Sequence, residues 1–494
     1  MLLLGLDIGT SSIKASVVES ESGSLLAAAS YPETEAPVLV PHPGWAEQDP
    51  ESWWQAVQQA VLACHATKRY APEDIAAIGI AYQMHGLVMV DRDQKVLRNA
   101  IIWCDSRAVD MGNRALDAIG KERCLSHLLN APGNFTASKL AWVKANEPAA
   151  YGRMDQIMLP GDYIAMRLTG AITTTVSALS EGVFWDFQTQ ALSEDIFHYY
   201  GFDQDCIPSV QAVFSDHGRL TKTAAEALSL MMGTPVTYKA GDQPNNALAL
   251  NVMAPGEVAA TAGTSGVIYG ISDQLIYDRA SRINSFAHVN HQGKQNNIGV
   301  LLCINGTGIF NHWVRTITGG HWSYEEMNQL AGTVRAGADG LFALPFGNGA
   351  ERMLNNRVVG AYFFNLDFNV HTPAHVLRAV QEGIAFSFRY GLDIMRENGI
   401  SPRVIRASQT NLFQSPLFAQ AFADVNNVRV EFYAGDGSYG AAIGAGIGAG
   451  VYRNVAEASM GRKPVGQVDP RRAKDYDDLY FQWKERLEQQ LQSV

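Results

Sequence analysis

Four short runs in the sequence place carboxylates, hydroxyls and glycines in orders that can do chemistry. Asp7-Ile8-Gly9-Thr10-Ser11-Ser12, with Lys14 just beyond, sets a carboxylate at a strand's end before a turn rich in backbone N–H groups and hydroxyls. Such a turn cradles phosphate oxygens, and a carboxylate beside it can hold a hydrated Mg2+. Gly263-Thr264-Ser265-Gly266 offers the same donors without the carboxylate. Gly241-Asp242-Gln243 reads in two ways, as a turn aspartate before Pro244 or as a general base taking the proton from a hydroxyl that attacks a phosphoryl group. In Gln83-Met84-His85-Gly86 the glycine lets a ligand come close to His85, although a lone histidine is as readily structural. His288 with His291, and His371 with His375, lack a carboxylate to complete a metal set, and the five cysteines form no C-x-x-C.

Each run sits where one element hands over to the next. The turn at Gly9 lies between the β-favouring Leu2 to Leu6 and Ser16-Val17-Val18, and the turn at Gly263 between Val258 to Thr261 and Val267 to Ile271. Both carry G-T-S-x-[IV], about half the chain apart, which predicts two domains that each open with a glycine hairpin. Strand-like segments (Ile75 to Ala81, Leu87 to Val90, Val236 to Lys239) alternate with helical ones, the pattern of α/β layers. Asp49-Pro50, Thr372-Pro373 and Ser415-Pro416 mark helix starts, and Ser323 with Glu326 forms a capping box. Gly440 to Val451 predicts a buried helix with close backbone packing, and Asp475 to Leu491 a helical end-piece packed on the body. The junction falls near Asn246 to Pro255, giving domains at 1–245 and 246–494.

Composition narrows the function classes. Of 494 residues, 47% are apolar and 18% charged, with a net charge of −11, so long disorder is excluded. A basic face for nucleic acid is missing, and no apolar run is long enough to span a bilayer. Scattered cysteines and the absence of a signal-peptide pattern predict a cytoplasmic protein.

Taken in order along the chain, the motifs resemble those of the FGGY carbohydrate kinases, most closely the xylulokinases. The resemblance runs through Asp7-x-Gly9-Thr10, Pro43-Gly44-Trp45-Ala46-Glu47-Gln48-Asp49-Pro50, Gln83-Met84-His85-Gly86 and Trp103-x-Asp105-x-Arg107. It continues through Phe135-Thr136-Ala137-x-Lys139-Leu140-x-Trp142, Gly241-Asp242-Gln243, Gly263-Thr264-Ser265-Gly266 and Gly349-Ala350-Glu351-Arg352. It implies two actin-like, ribonuclease-H-like domains around a deep cleft, with ATP and Mg2+ as cofactors and a small sugar as the partner molecule. A homodimer is an assembly it allows. It further implies Asp242 as the base, Asp7 at the Mg2+ and ATP phosphates, and Met84, His85 and Gln243 on the sugar. Thr10, Ser11, Gly263 and Thr264 fall on the phosphate hairpins, and Asn411 on the adenosine side. The implied reaction is phosphorylation of a ketopentose, D-xylulose first, with another ketose, a polyol, a sugar acid or a sensor function as alternatives. Two departures stand out: Thr410-Asn411-Leu412-Phe413 replaces the family's Gly-Gly-Gly-Ala, and Met353-Leu354 replaces Thr-Pro after Glu351-Arg352. If glycines are needed there to lay backbone against adenine, Leu412 and Phe413 cannot cheaply take a left-handed conformation.

Overall fold

The computed structural model describes residues 1–293, 295–318 and 320–493. Strands β1 (Leu2–Ile8), β2 (Ile13–Glu19) and β3 (Leu25–Tyr31) form an antiparallel meander. Beside β1, β4 (Ile75–Tyr82) and then β5 (Val236–Gly241) add in parallel, giving the order β5-β4-β1-β2-β3. Parallel neighbours require crossovers, which is why long helical segments separate these strands in sequence.

The second half builds the same object again. Its strands are β6 (Glu257–Ala262), β7 (Gly266–Ser272), β8 (Asn284–Ala287), β9 (Ile298–Ile304), β10 (Val404–Ser408), β11 (Val430–Tyr433) and β12 (Gly466–Val468). They run in the order β8-β9-β7-β6-β10-β11-β12. Without the edge strands β8 and β12, five strands remain in the order and directions of the first sheet, with β6 and β7 as the counterpart of β1 and β2. The duplicated hairpin therefore reflects a duplicated α/β domain of the actin-like, ribonuclease-H-like type.

Nine helices matter for the site and its support: α1 (Pro50–Ala66), α2 (Thr136–Asn146), α3 (Val176–Glu181), α4 (Asp242–Ala249), α5 (Gly308–Ile317), α6 (Pro373–Glu397), α7 (Pro416–Asn426), α8 (Gly437–Gly448) and α9 (Ala473–Ser493). Local chemistry sets their starts. Asp49 accepts from the Glu51 N–H at 3.0 Å to cap α1, and the Ser415 hydroxyl accepts from the Phe418 N–H at 3.2 Å to cap α7. The end-piece α9 packs on α6 and α7, and its buried Trp483 donates from Nε1 to the Ala343 carbonyl at 2.8 Å.

α8 takes an unexpected place. It belongs to the second half of the sequence, yet it lies on β1, β4 and β5 of the first sheet. Gly5 and Gly79 are register partners on β1 and β4, and a Cβ on either would run into the backbone of α8 at Ser438 and Ala442 or at Ala441. The small residues of α8 thus serve a backbone-to-sheet contact that closes the first domain from far along the chain. The residue pair 245/246 lies inside α4, so no boundary loop separates the halves there. Among the described residues, no helix is long and apolar enough to cross a membrane.

Candidate active site

The first hairpin places Asp7 near the end of β1, half-buried, against the start of α8. A side chain at Gly437 would collide with its carboxylate. Asp436 caps α8 by accepting from the Ser438 and Tyr439 N–H groups at 3.1 and 3.2 Å, and its other oxygen lies 3.7 Å from Lys14 Nζ. Burial pushes the Asp7 carboxyl up to about 6; Lys14 pulls it down and Asp436 pushes it further up. Among the described residues, no three His, Cys, Asp or Glu side chains converge as a protein-only metal cage. Asp7 instead offers one hard, incompletely neutralised oxygen ligand, the kind Mg2+ uses together with phosphate oxygens and water. The residues present fit that ion.

Thr10 has a more constrained part than its sequence suggests. Its hydroxyl donates to Gln83 Oε1 at 3.1 Å and accepts from Trp103 Nε1 at 2.9 Å, while its carbonyl accepts from Gln48 Nε2 at 2.8 Å. With its one O–H committed, Thr10 braces the hairpin, and Ser11 is the exposed hydroxyl of the turn.

Asp242 is the first residue of α4, directly after β5, where the sequence suggested a loop. Pro244 does not break the helix because it lies in the first turn, where no backbone N–H is needed. The Asp242 carboxyl is raised to about 7, by burial first and by the nearby Asp7 second, with Gln243 donors pulling it down. Its neighbour Gly241 abuts the buried Met84, whose side chain would be 2.6 Å from a Cβ at that position.

His85 follows β4 with φ +61°. Its Nδ1 lies 3.0 Å from the Glu181 carbonyl, so Nδ1 carries the hydrogen and Nε2 is left as an acceptor. Burial, with Lys139 nearby, holds the imidazole down to about 3, so it is neutral at physiological pH. Fully buried Lys139 on α2 donates to the His85 carbonyl at 2.7 Å, its own ammonium lowered to about 7 by burial. Phe135 and Phe286 wall the ring at 4.8 and 5.2 Å between centroids, Phe286 coming from β8 of the second sheet. Beside this group lies Glu181, which the sequence did not single out. A glutamate in Ser180-Glu181-Gly182 reads as the exposed end of a short helix, and nothing local signals its burial.

The second hairpin is fastened to α5. The Gly263 carbonyl accepts from the Thr307 hydroxyl at 3.0 Å and the Gly308 N–H at 2.9 Å, and the Thr264 carbonyl from the Ile309 N–H at 3.1 Å. Asn411 adjoins it, with Nδ2 3.4 Å from where a Cβ on Gly263 would stand. Only Asn411 of the substituted tetrapeptide is left-handed, at φ +52°. Leu412 and Phe413 need no positive φ: they turn into the core, where Phe413 meets Phe418, Phe422 and Phe432 at 5.4, 5.1 and 5.7 Å. Asn411→Gly should therefore leave thermal stability near that of the wild type, whereas Asn411→Ala should cost about 1 kcal/mol, read as a lower Tm.

Comparison with known proteins agrees with this architecture. The model of the FGGY family of carbohydrate kinases, N-terminal domain, matches residues 2–249, and that of the C-terminal domain matches residues 258–449. The xylulose kinase of Escherichia coli K12 is 29% identical over 447 residues, 90% of this chain and 88% of the relative. That of Bacillus subtilis is 28% identical over 433 residues, covering 87% and 84%. The crystal structure of xylulose kinase from Rhodospirillum rubrum superposes with a TM-score of 0.86 at 26% identity, over 99% of both chains. A Plasmodium falciparum glycerol kinase with ADP has a TM-score of 0.88 at 19% identity over 99% and 98%, which speaks to the fold alone. With both domain models matched in order across two duplicated sheets, the chain belongs to the FGGY family of carbohydrate kinases and is a sugar kinase.

Proposed function

We propose that the protein transfers the γ-phosphoryl group of ATP to D-xylulose, giving D-xylulose 5-phosphate, with Asp242 as general base. The observation that carries this reading is the position of Asp242. It lies within electrostatic range of Asp7 and of Glu181, the neighbour of His85, and burial with Asp7 raises its carboxyl to about 7. A base so tuned can accept a hydroxyl proton near neutral pH. The likeness to proteins named xylulose kinase supports the ketopentose as the acceptor.

In this reading Met84 gives the sugar an apolar wall, and His85 Nε2 accepts a hydrogen bond from one of its hydroxyls. Gln243 holds the Asp242 carboxylate and adds a polar contact to the sugar. As the sugar oxygen attacks the γ-phosphorus, Asp242 takes its proton and the β–γ bridging oxygen leaves with ADP. Backbone N–H groups at Thr10, Ser11, Gly263 and Thr264 receive the phosphate oxygens, and Asn411 lies on the nucleotide side. Asp7 would hold Mg2+, which supplies neutralising charge to the phosphate oxygens. Closure of the two domains brings the halves of this set together and keeps water from the phosphorus.

An ADP-release assay with ATP and Mg2+ over ketoses, polyols and sugar acids tests the proposal. D-xylulose should turn over fastest; a faster polyol or sugar acid would move the substrate, and silence across the panel would sink the activity. Asp7→Asn should weaken Mg2+-dependent ATP use more than sugar binding. Equal losses of both in calorimetry would contradict its placement.

A further inference from the structure

The Glu181 carboxyl is poorly compensated for a buried group near the site. It is about 1% exposed, and among the described residues no hydrogen bond of good geometry reaches either of its oxygens. Burying such a group without partners destabilises the fold. It ends α3, where a negative charge is disfavoured, and it lies close enough to Asp242 for the two charges to oppose each other. The cations nearby are turned elsewhere. His85 Nδ1 is 4.0 Å from Oε2 but gives its hydrogen to the Glu181 backbone carbonyl, and Lys139 Nζ points to the His85 carbonyl. Among the described residues the Tyr82 hydroxyl is the one donor within reach of the carboxyl, and Tyr269 and Asp162 complete the titratable groups around it.

Nor is Glu181 free to swing out. The Ser177 hydroxyl donates to the Ala287 carbonyl at 2.8 Å, and the Ala287 N–H donates to Ser180 Oγ at 2.9 Å, so α3 is bolted to β8. Oε2 would stand 3.1 Å from a Cβ on Gly241, the residue before Asp242. The carboxyl is thus held, poorly partnered, next to Gly241 and Met84 and beside His85 and Asp242, where the proposed sugar site lies.

We propose that Glu181 sets acceptor specificity: its carboxyl hydrogen-bonds an oxygen of a neutral sugar bound between Asp242 and His85, and it turns away acceptors that carry a carboxylate. This rests on the reading of that pocket as the sugar site. Burial and Asp242 keep the group protonated, so it offers both an O–H donor and acceptor lone pairs, which suit the hydroxyls and carbonyl of a ketose. A carboxylate at that place has no hydrogen to give the carbonyl oxygen of the Glu181 carboxyl and adds a negative charge beside Asp242, which must itself ionise to act as base.

Calorimetry on the full chain with D-xylulose, D-gluconate and ATP, beside thermal melts, tests it. Glu181→Ala should weaken D-xylulose binding roughly tenfold, leave ATP affinity unchanged and lower the preference for D-xylulose over D-gluconate by a similar factor. Glu181→Gln, which still donates and accepts, should recover most of the affinity with a Tm no lower than that of the wild type. Glu181→Leu fills the same space without polar atoms and should behave as the Ala variant if the latter folds poorly. A purely structural glutamate would give the reverse: a lower Tm in the Gln variant and unchanged sugar selectivity. If the wild type binds D-xylulose and the Ala and Leu variants bind it equally well, this inference alone fails. If the wild type binds no neutral sugar, the pocket assignment fails and the inference goes with it.

Discussion

Asp242→Asn is expected to lower D-xylulose turnover by about 100- to 10,000-fold, the usual contribution of a positioned general base, while sugar affinity changes little. The amide keeps the shape of the carboxylate but cannot take the hydroxyl proton. In the wild type, kcat/KM for the sugar should climb as pH rises through about 7, because only the ionised Asp242 is a base. That limb should vanish from the residual activity of the Asn variant. Stability responds with the opposite sign. The folded protein keeps a proton on Asp242 that the unfolded chain has released by about pH 4, so this group lowers stability as pH rises from about 4 to about 7. Asp242→Asn should be spared that loss, and its Tm should fall less over the window. Unimpaired turnover in the Asn variant would falsify the base assignment.

Gly79→Ala should produce a large loss of stability from a single methyl group. A Cβ there meets the backbone of α8 at Ala441, and a backbone cannot rotate aside as a side chain can. Overpacking of this kind costs up to about 3 kcal/mol, or roughly 6–12 °C in Tm for a domain of 150–250 residues. Activity should fall as well, because α8 begins at Gly437 against Asp7 and is capped by Asp436. Gly5→Ala, at the register partner, should behave alike. A melt within a degree of the wild type would mean that α8 does not sit as tightly on the strands as described.

What the sequence made legible was what neighbours along the chain decide. The two G-T-S turns, the caps at Asp49 and Ser415, and the small-residue run from Gly440 are local patterns, and each became the expected kind of element. Where those elements dock is decided by partners hundreds of residues away. Nothing within Gly437–Gly448 says that it covers the first sheet; only Gly5 and Gly79, on other strands, complete that contact. The substituted tetrapeptide at Thr410 was legible as a departure but not as a solution, because the left-handed demand falls on Asn411 alone. Glu181 was illegible for a related reason: its type predicts solvent, and its burial arises from β4, β5 and β8 together.

The place of α8 also bears on how the chain is made. When residues 2–249 have left the ribosome, all five strands of the first sheet exist, but the face around Leu3, Gly5, Ala77 and Gly79 still lacks its cover. About 200 more residues must be synthesised before Gly448 emerges, which at about 5–20 residues per second takes roughly 10–40 s. Through that interval the nascent first domain carries an open apolar strip. Exposed apolar surface of this kind is prone to aggregation, and a chain ended before Gly437 would leave the first sheet without its cover as well as the second domain incomplete.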